Sequence, residues 1–244
     1  MSKAETDRLR AVVGIIPAGG SGERLRAGLA ANGHEGSPPP PPKAFTVLAG
    51  RPLLDWSVEV LSSVCDRVVV AVPAGHAAPP DRVPGGASRS ASVRLALEAA
   101  PEADIAVVHD AARPLVTRDL VDRCVAALCE GEADGAIAAA PVTDTVKEAD
   151  RDGRVLRTLD RSSLWAIQTP QVFRAEALRH ALAVDESRLA SATDDASLVE
   201  AAGGSVTVVE APHENLKITP ARDLVVAESL LAARSSSPAR PPTC

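Results

Sequence analysis

GIIPAGGSGER, residues 14–24, continues an apolar run that begins at Ala11. A short apolar run that is rich in β-branched residues and ends in turn residues is typical of a buried strand in a parallel sheet. The small residues at positions 17–22 let a ligand approach the backbone, and glycine permits φ > 0. Backbone N–H groups in such a turn can hold an anion, to which Arg24 adds a fixed positive charge. The stretch therefore predicts a phosphate-binding loop of a nucleotide-using enzyme.

A purely structural interpretation of this turn stays open. Glycine-rich turns also let a helix pack closely on a sheet, and short motifs carry a real false-positive risk. The pattern matches neither the dinucleotide-binding G-x-G-x-x-G nor the P-loop G-x-x-x-x-G-K-[ST], since neither Lys-Ser nor Lys-Thr follows the glycines. If phosphates bind here, the sequence argues against a P-loop NTPase.

Composition narrows the classes of function. A chain of 244 residues can bury a full core, and we expect a single domain over residues 11–234. Two Phe, two Trp and no Tyr argue against nucleic-acid binding by base stacking. The net charge of −6 disfavours a general polyanion binder, so any anion site must be a local cluster of cations.

Cysteines and hydropathy point to a cytoplasmic setting. The four cysteines are scattered and lack metal-ligand spacing, which favours buried, reduced thiols. The sequence has neither a signal-peptide pattern nor an apolar run of membrane-spanning length. We therefore expect a cytoplasmic protein whose partners include neither a membrane nor a nucleic acid.

Strands and helices alternate through the first part of the chain. Apolar runs predict strands at residues 11–16, 67–72, 104–109 and 135–140, with helices between them. This alternation predicts βαβ units in a mostly parallel sheet, hence an α/β fold. Ligands of such sheets bind at the carboxyl ends of the strands. The first glycine turn, a second small-residue turn at 84–92 and the segment 110–113 all fall at those ends.

The pattern changes after residue 140. Two alternating runs flank a hairpin turn at Asp152-Gly153, which predicts a projecting β-arm over residues 141–169. Because two-stranded ribbons are marginally stable alone, we expect this arm to pack on a second subunit. Thr193 is predicted to cap a helix over residues 194–202, and Thr219-Pro220 is predicted to begin the last helix.

Two segments lie outside this regular pattern. The proline-rich segment 27–42 predicts an exposed loop insert beside the active site, although a docking peptide is the rival interpretation. Residues 235–244 are expected to form a disordered tail.

Four charged residues suggest phosphate chemistry. Asp110 ends an apolar strand, where a carboxylate is costly unless a divalent cation or a basic residue pairs with it. A helix-capping role or a salt bridge to a neighbouring arginine explains Asp110 about equally well. Arg24, Lys43 and Lys217 lie beside loops at one sheet edge. Singly each is an ordinary surface charge, but jointly they suit a triphosphate.

Nine segments in this order carry a family resemblance. They are PAGGSGER (17–24), PK (42–43), GG (85–86) with Arg89 and Ser92, HDAARP (109–114), PVTDTVK (141–147), DR (160–161), QTPQ (168–171), TDDAS (193–197) and NLKIT (215–219). The chain thereby resembles the 2-C-methyl-D-erythritol 4-phosphate cytidylyltransferases over about residues 11–231. The glycine loop is shared by many nucleotidyltransferases, whereas the later segments together are specific.

The resemblance implies a three-layer, Rossmann-like nucleotidyltransferase fold and a reaction. The phosphate of methylerythritol phosphate would attack the α-phosphorus of CTP and expel pyrophosphate, in the non-mevalonate isoprenoid pathway. Arg24 and Lys43 would stabilise charge on the triphosphate, Asp110 would hold Mg²⁺, and Lys217 would position the α-phosphate.

The resemblance also implies two groups of binding residues. Those expected around the nucleotide are Ala18, Gly19, Gly20, Gly22, Gly86, Arg89 and Ser92. Thr145 and Arg161, from the arm of a second subunit, would bind methylerythritol phosphate, with Arg113 and Thr169 nearby. A homodimer is therefore expected.

Departures from the family pattern leave alternatives. Gly19 stands where the family usually has a second alanine, and the insert lengthens the separation between Arg24 and Lys43. A cytidylyltransferase for another polyol phosphate, such as ribitol phosphate, remains open, because Thr145 and Arg161 would contact only a phosphate. A non-catalytic nucleotide-binding protein is the other alternative.

Overall fold

The computed structural model describes residues 10–20, 25, 27–29, 41–73, 75–76 and 80–236. Its strands are β1 Val12–Pro17, β2 Val47–Leu48, β3 Arg51–Pro52, β4 Arg67–Val72, β5 Arg82–Pro84, β6 Ile105–Val108, β7 Gly135–Pro141, β8 Lys147–Ala149, β9 Val155–Thr158, β10 Trp165–Arg174 and β11 Val206–Glu210. Its helices are α1 Leu53–Ser62, α2 Arg89–Glu98, α3 Arg118–Glu130, α4 Ala175–Leu182, α5 Glu186–Ser191, α6 Asp195–Ala201 and α7 Arg222–Ser236.

Seven strands form the central sheet in the order β11-β7-β10-β6-β1-β4-β5. The neighbours of β1 run parallel to it, whereas β10 lies antiparallel between β6 and β7. The predicted mostly parallel α/β sheet is confirmed. The antiparallel strand β10 differs from the sequence prediction, in which residues 168–171 only return the chain to the body.

Helices cover both faces of the sheet because its inner strands are apolar on both sides. In β6, Ala106 and Val108 enter one core cluster, while Ile105 and Val107 enter the other. This alternation follows from the period of two along a strand. The first cluster packs against α2, α4 and α6, and the second against α1 and α3. The result is a three-layer arrangement.

Of three helix starts predicted from the sequence, the structure confirms one and differs at two. Thr117 caps α3, accepting a hydrogen bond from the N–H of Leu120 at 3.3 Å, as predicted. The cap of α6 is Asp194 and not Thr193, because the Asp194 carboxylate accepts from the N–H of Ser197 at 3.0 Å.

The last helix begins at Arg222 rather than at Thr219-Pro220. The Asp223 carboxylate accepts a hydrogen bond from the N–H of Thr219 at 2.8 Å, which holds a turn ahead of the helix. The same helix runs to Ser236, two residues into the tail predicted as disordered from residue 235. Residues 237–244 lie outside the described residues.

The arm is shorter than predicted. Residues 165–169 belong to β10 in the central sheet, so the projecting part spans residues 142–164. Its hairpin pairs β8 with β9, and nearly all of its residues are exposed. The insert also differs at its start, since residues 27–29 are helical. Residues 30–40, the bulk of the predicted loop, are not among the described residues.

Candidate active site

Two cavities open at the carboxyl edge of the parallel strands and meet at three shared residues, Arg89, Asp110 and Lys217. The glycine-turn cavity, about 590 Å³, is lined by Pro17, Ala18, Gly19, Gly20, Lys43, Ala44, Gly86, Ala87, Ser88, Ser92, Ala111, Ala112 and the shared three. The β10 cavity, about 430 Å³, is lined by Arg113, Ile137, Ile167, Gln168, Thr169, Gln171, Thr193, Asp194, Ala196, Ser197, Glu200 and the shared three. Both volumes suit a small-molecule ligand.

The glycine-turn cavity exists because two turns pack closely together. A Cβ on Gly85 would lie 3.3 Å from the Cα of Gly19, and a Cβ on Gly86 would lie 2.6 Å from the Cβ of Ala91. The Ser92 hydroxyl accepts from the N–H of Gly86 at 3.0 Å and donates to the Ser88 carbonyl at 2.9 Å. These contacts fix the backbone that walls the cavity.

The residues predicted around the nucleotide converge here. Ala18, Gly19, Gly20, Gly86, Arg89 and Ser92 all line the glycine-turn cavity. The half-buried Lys43 lines it too, so the long insert does not remove this lysine from the site. Gly22 and Arg24 lie outside the described residues.

Four side chains of alternating charge run from the interior to the junction of the cavities. The Arg89 guanidinium donates from Nη1 to Oδ2 of Asp195 at 2.5 Å, and from Nε to Oδ1 of Asp110 at 2.8 Å. Lys217 Nζ then donates to Oδ2 of Asp110 at 2.6 Å. We name this set, Asp195, Arg89, Asp110 and Lys217, the charge chain.

The charge chain keeps Asp110 ionised. Burial disfavours the carboxylate, but the charges of Arg89 and Lys217 outweigh burial and hold the pKa of Asp110 well below its usual range. Burial raises the pKa of Asp195, against the attraction of Arg89. An ionised carboxylate at the junction is a hard oxygen ligand of the kind that Mg²⁺ takes.

Burial of the flanking residues positions Lys217. Ile218 is fully buried beside α7, and its N–H donates to the carbonyl of Ala112 at 2.8 Å. Asn215, also buried, donates from Nδ2 to the carbonyl of Thr169 at 2.9 Å. The segment is therefore held on both sides of a lysine whose side chain is half exposed.

A buried hydrogen-bond network supports Asp110 from behind. The N–H of Asp110 donates to Oγ1 of Thr169 at 3.1 Å, and this hydroxyl lies 3.0 Å from Nδ1 of His109. Nε2 of His109 lies 3.2 Å from the carbonyl of Arg113, which can only accept. A neutral His109 ring with its proton on Nε2 donates to the Arg113 carbonyl and accepts from the Thr169 hydroxyl at Nδ1, so each of these groups has a partner. Burial favours this neutral form and lowers the pKa of His109 to about 4.

Arg113 and Thr169, predicted to bind the acceptor, line the β10 cavity but also hold the scaffold. The Arg113 guanidinium donates to the carbonyls of Asn215 at 2.7 Å and of Ile167 at 3.4 Å. Their part in acceptor binding stays a prediction.

Thr145 and Arg161 are not brought to the cavities of their own chain. Both lie exposed on the arm, where an N–H of Arg161 donates to the carbonyl of Thr143. Their predicted role requires the arm to reach another subunit.

Comparison with known proteins identifies the family. The family model for 2-C-methyl-D-erythritol 4-phosphate cytidylyltransferase matches residues 12–233. The chain belongs to this family. The cytidylyltransferase of Frankia casuarinae is 42% identical over 238 residues, covering 91% of this chain and 81% of that protein. That of Rubrobacter xylanophilus is 42% identical over 236 residues, covering 91% and 95%.

Solved structures of cytidylyltransferases in this family share the fold. The crystal structure of the Thermus thermophilus enzyme gives a TM-score of 0.70 at 35% identity, covering 90% of this chain and 98% of that one. The Francisella tularensis enzyme gives 0.72 at 29% identity, covering 90% and 99%. The predicted nucleotidyltransferase fold is therefore confirmed.

Two residues of this cytidylyltransferase site have contacts that no local sequence pattern predicts. Asp195 and Asn215 both fall inside quoted motifs, yet their buried contacts with Arg89 and Thr169 are long-range. A signal for Asp195 was present, since two adjacent acids begin α6 and only Asp194 is needed as its cap. No helix in the described part of the chain combines the length and apolar character needed to cross a bilayer.

Proposed function

We propose that this chain transfers the cytidylyl group of CTP to 2-C-methyl-D-erythritol 4-phosphate and releases pyrophosphate, with CTP in the glycine-turn cavity and the acceptor in the β10 cavity. Family membership supports the reaction. The observation that carries the assignment of sites is the junction of the two cavities at Arg89, Asp110 and Lys217. Direct transfer needs donor and acceptor phosphates to meet, and this junction is where two ligands would touch.

The nucleotide cavity suits a triphosphate with a small base. Its walls are backbone and small residues, such as Ala18, Gly19 and Gly20, which let a ligand come close to the backbone. A Cβ on Gly86 would lie 2.6 Å from the Cβ of Ala91, so this part of the wall has little room to shift, and we propose that it bounds the site of the CTP base.

The chemistry requires positive charge and no covalent nucleophile. A phosphate oxygen of the acceptor forms a bond to the α-phosphorus of CTP, and the bond from that phosphorus to the bridging oxygen of pyrophosphate breaks. Lys43 and Lys217, with Arg24 as a further proposed cation, neutralise the charge that builds up on the phosphates.

Asp110 fits a magnesium ion. Mg²⁺ is usually held by one or two carboxylates together with substrate phosphates and water. Asp110 supplies one ionised carboxylate at the junction, and no cluster of three or more His, Cys, Asp or Glu among the described residues is arranged to hold a metal alone. When bound there, the ion would supply charge neutralisation on the phosphates.

We propose further that the arm completes the acceptor site of a second copy. Thr145 and Arg161 are exposed, and Val155 and Leu156 on the arm are 55% and 59% exposed. Apolar side chains on a two-stranded ribbon favour a partner surface. In such a homodimer, Arg161 would bind the acceptor phosphate across the interface, with Arg113 and Thr169 beside it.

Pyrophosphate release tests the reaction. We expect release only with CTP, methylerythritol phosphate and Mg²⁺ together, and little with UTP, with ATP or after addition of a chelator. Faster release with ribitol phosphate would move the assignment to another polyol phosphate. CTP binding without release from any acceptor would favour a non-catalytic nucleotide-binding protein.

Mixing two inactive variants tests the arm. Asp110→Asn and Arg161→Ala lie in different parts of the site. In a mixed dimer, one site combines an intact Asp110 with the intact arm of the other chain. We expect co-refolding of the two variants to restore about a quarter of wild-type activity. Restoration absent from a proven mixed dimer would show that the arm does not act across the interface.

A further inference from the structure

Asp195 forms the buried end of the charge chain, and the reaction proposed above assigns it no role. The exposed fraction of the side chains is 0% at Asp195, 27% at Arg89, 10% at Asp110 and 43% at Lys217. Asp195 itself lines neither cavity, yet it binds Arg89, which lines both cavities and binds Asp110.

Arg89 is fixed at both carboxylates. A fully buried carboxylate is costly unless a cation pairs with it, so departure of Arg89 would leave Asp195 uncompensated. The planar guanidinium uses Nη1 for Asp195 and Nε for Asp110, a geometry that one ammonium group does not reproduce. Arg89 therefore cannot easily leave Asp110.

Lys217 is held less tightly at its ammonium end. Its four-carbon stem is flexible and its side chain is 43% exposed, so the ammonium can exchange Asp110 for water or a phosphate at a lower cost than Arg89. Arg89 holds Oδ1 of Asp110 and Lys217 holds Oδ2. Because Arg89 stays in place, a divalent cation that binds Asp110 competes with the Lys217 ammonium for Oδ2.

We propose that Asp195 is a positioning residue that anchors Arg89 on Asp110, so that Lys217 alone gives up its contact when Asp110 takes a divalent cation. Lys217 is then free to turn to the phosphates beside it, so its ammonium reaches them after Asp110 has exchanged partners. This inference rests on the proposed cytidylyl transfer for its purpose. Its tests measure metal binding without turnover, so they can fail independently of the reaction.

The first test measures competition at Asp110. Mn²⁺ is titrated into the full-length protein with CTP but no acceptor, because Asp110 holds the ion only together with phosphates, and free Mn²⁺ is followed by its electron paramagnetic resonance signal. We expect Lys217→Met to bind Mn²⁺ at least about fivefold more tightly than wild type, because the competing cation is gone. Lys147→Met, which removes an exposed lysine from the arm, should match wild type, and Asp110→Asn should abolish the site. Equal affinity in Lys217→Met and wild type would overturn the proposal.

The second test measures whether Asp195 holds Arg89 on Asp110. In Asp195→Asn the guanidinium can turn an Nη–H as well as its Nε–H to Asp110, and the charge chain gains a net positive charge. We expect Mn²⁺ affinity, measured with CTP but no acceptor, to fall at least about fivefold. The concentration of Mg²⁺ that gives half-maximal activity should rise with it. Asp185→Asn, at the exposed cap of α5, is the matched control.

A purely structural role for Asp195 gives a different result. In that case Asp195→Asn would melt at a lower temperature while binding Mn²⁺ like wild type, and the proposal would be wrong. If Asp195→Asn does not fold, Arg89→Lys replaces it, since lysine keeps the charge but loses the two separate bonds. The same loss of Mn²⁺ affinity is expected, and unchanged affinity in a folded Arg89→Lys protein would also overturn the proposal.

Discussion

The glycine turns and the arm are opposite kinds of binding surface within one chain. Gly85 and Gly86 leave little room for a side chain, and their N–H groups donate within the same chain, to the carbonyl of Val72 at 2.7 Å and to the hydroxyl of Ser92 at 3.0 Å. The arm, residues 142–164, is exposed along nearly its whole length. The first surface is therefore complete in a single chain, whereas the second is the surface that we propose a second copy covers.

This difference separates two kinds of mutational effect. A change near the turns or the charge chain alters both the fold and the chemistry, because the same contacts maintain both. A change on the arm should leave the stability of the subunit unaltered and act only on acceptor binding and assembly.

The largest effect is expected at the junction. Asp110→Asn removes the charge that binds both Arg89 and Lys217, and we expect kcat for pyrophosphate release to fall about 10³-fold. The KM for CTP should change much less. Asp185→Asn serves as the control, and wild-type turnover in a folded Asp110→Asn protein would exclude Asp110 from the mechanism.

The next effect should appear on the arm. Arg161→Ala removes a proposed phosphate ligand, and we expect kcat/KM for the acceptor to fall about 10²-fold, with the KM for CTP and the melting temperature unchanged. Arg157→Ala, also on the arm and paired with Glu148, is the control. If Arg161→Ala instead lowers the melting temperature of the subunit, the arm is not independent of the fold.

A smaller effect is expected in the glycine turn. In Gly86→Ala the new methyl group would lie 2.6 Å from the Cβ of Ala91, so the turn must shift. We expect a loss of about 1–3 kcal/mol in the free energy of unfolding, together with a several-fold rise in the KM for CTP. Urea denaturation measures the first effect. Gly20→Ala, where no described atom would meet the methyl group within 4 Å, should leave stability unchanged.

The smallest effect concerns pH. Burial lowers the pKa of His109 to about 4, so the unfolded chain takes up a proton below pH 6.5 before the folded chain does. Stability from the neutral ring is thus present above pH 6.5 and decreases as the pH falls toward 4. We expect a loss of about 1 kcal/mol between pH 7 and 5.5, absent in His109→Gln. An NMR signal of charged imidazole at pH 5.5 would contradict this.

The sequence predicts the elements that depend on local pattern. The apolar runs that become β1 and β4, the Thr117 cap and the turn before α2 all follow from neighbouring residues. Strand β10 was missed because Pro170 lies within it, and proline in a run argues against a strand inside a sheet. The register shift in the pairing of β10 with β7 lies at this point, between Ile167 and Gln171.

The site is harder to predict because its contacts join distant parts of the chain. Arg89 and Asp195 are 106 residues apart, and Asp110 and Lys217 are 107 apart. Resemblance to a family supplied a role for Asp110 and Lys217, but no local pattern indicates that the two pair with each other. Arg89 was expected beside the nucleotide, and only its position in the fold reveals that it bridges two carboxylates.

The junction of the two cavities has a thermodynamic consequence. Both cavities are lined by Arg89, Asp110 and Lys217. A ligand in one cavity that moves any of these side chains therefore alters the other cavity. The two binding equilibria are therefore linked. The factor by which CTP changes the affinity for the acceptor must equal the factor by which the acceptor changes the affinity for CTP.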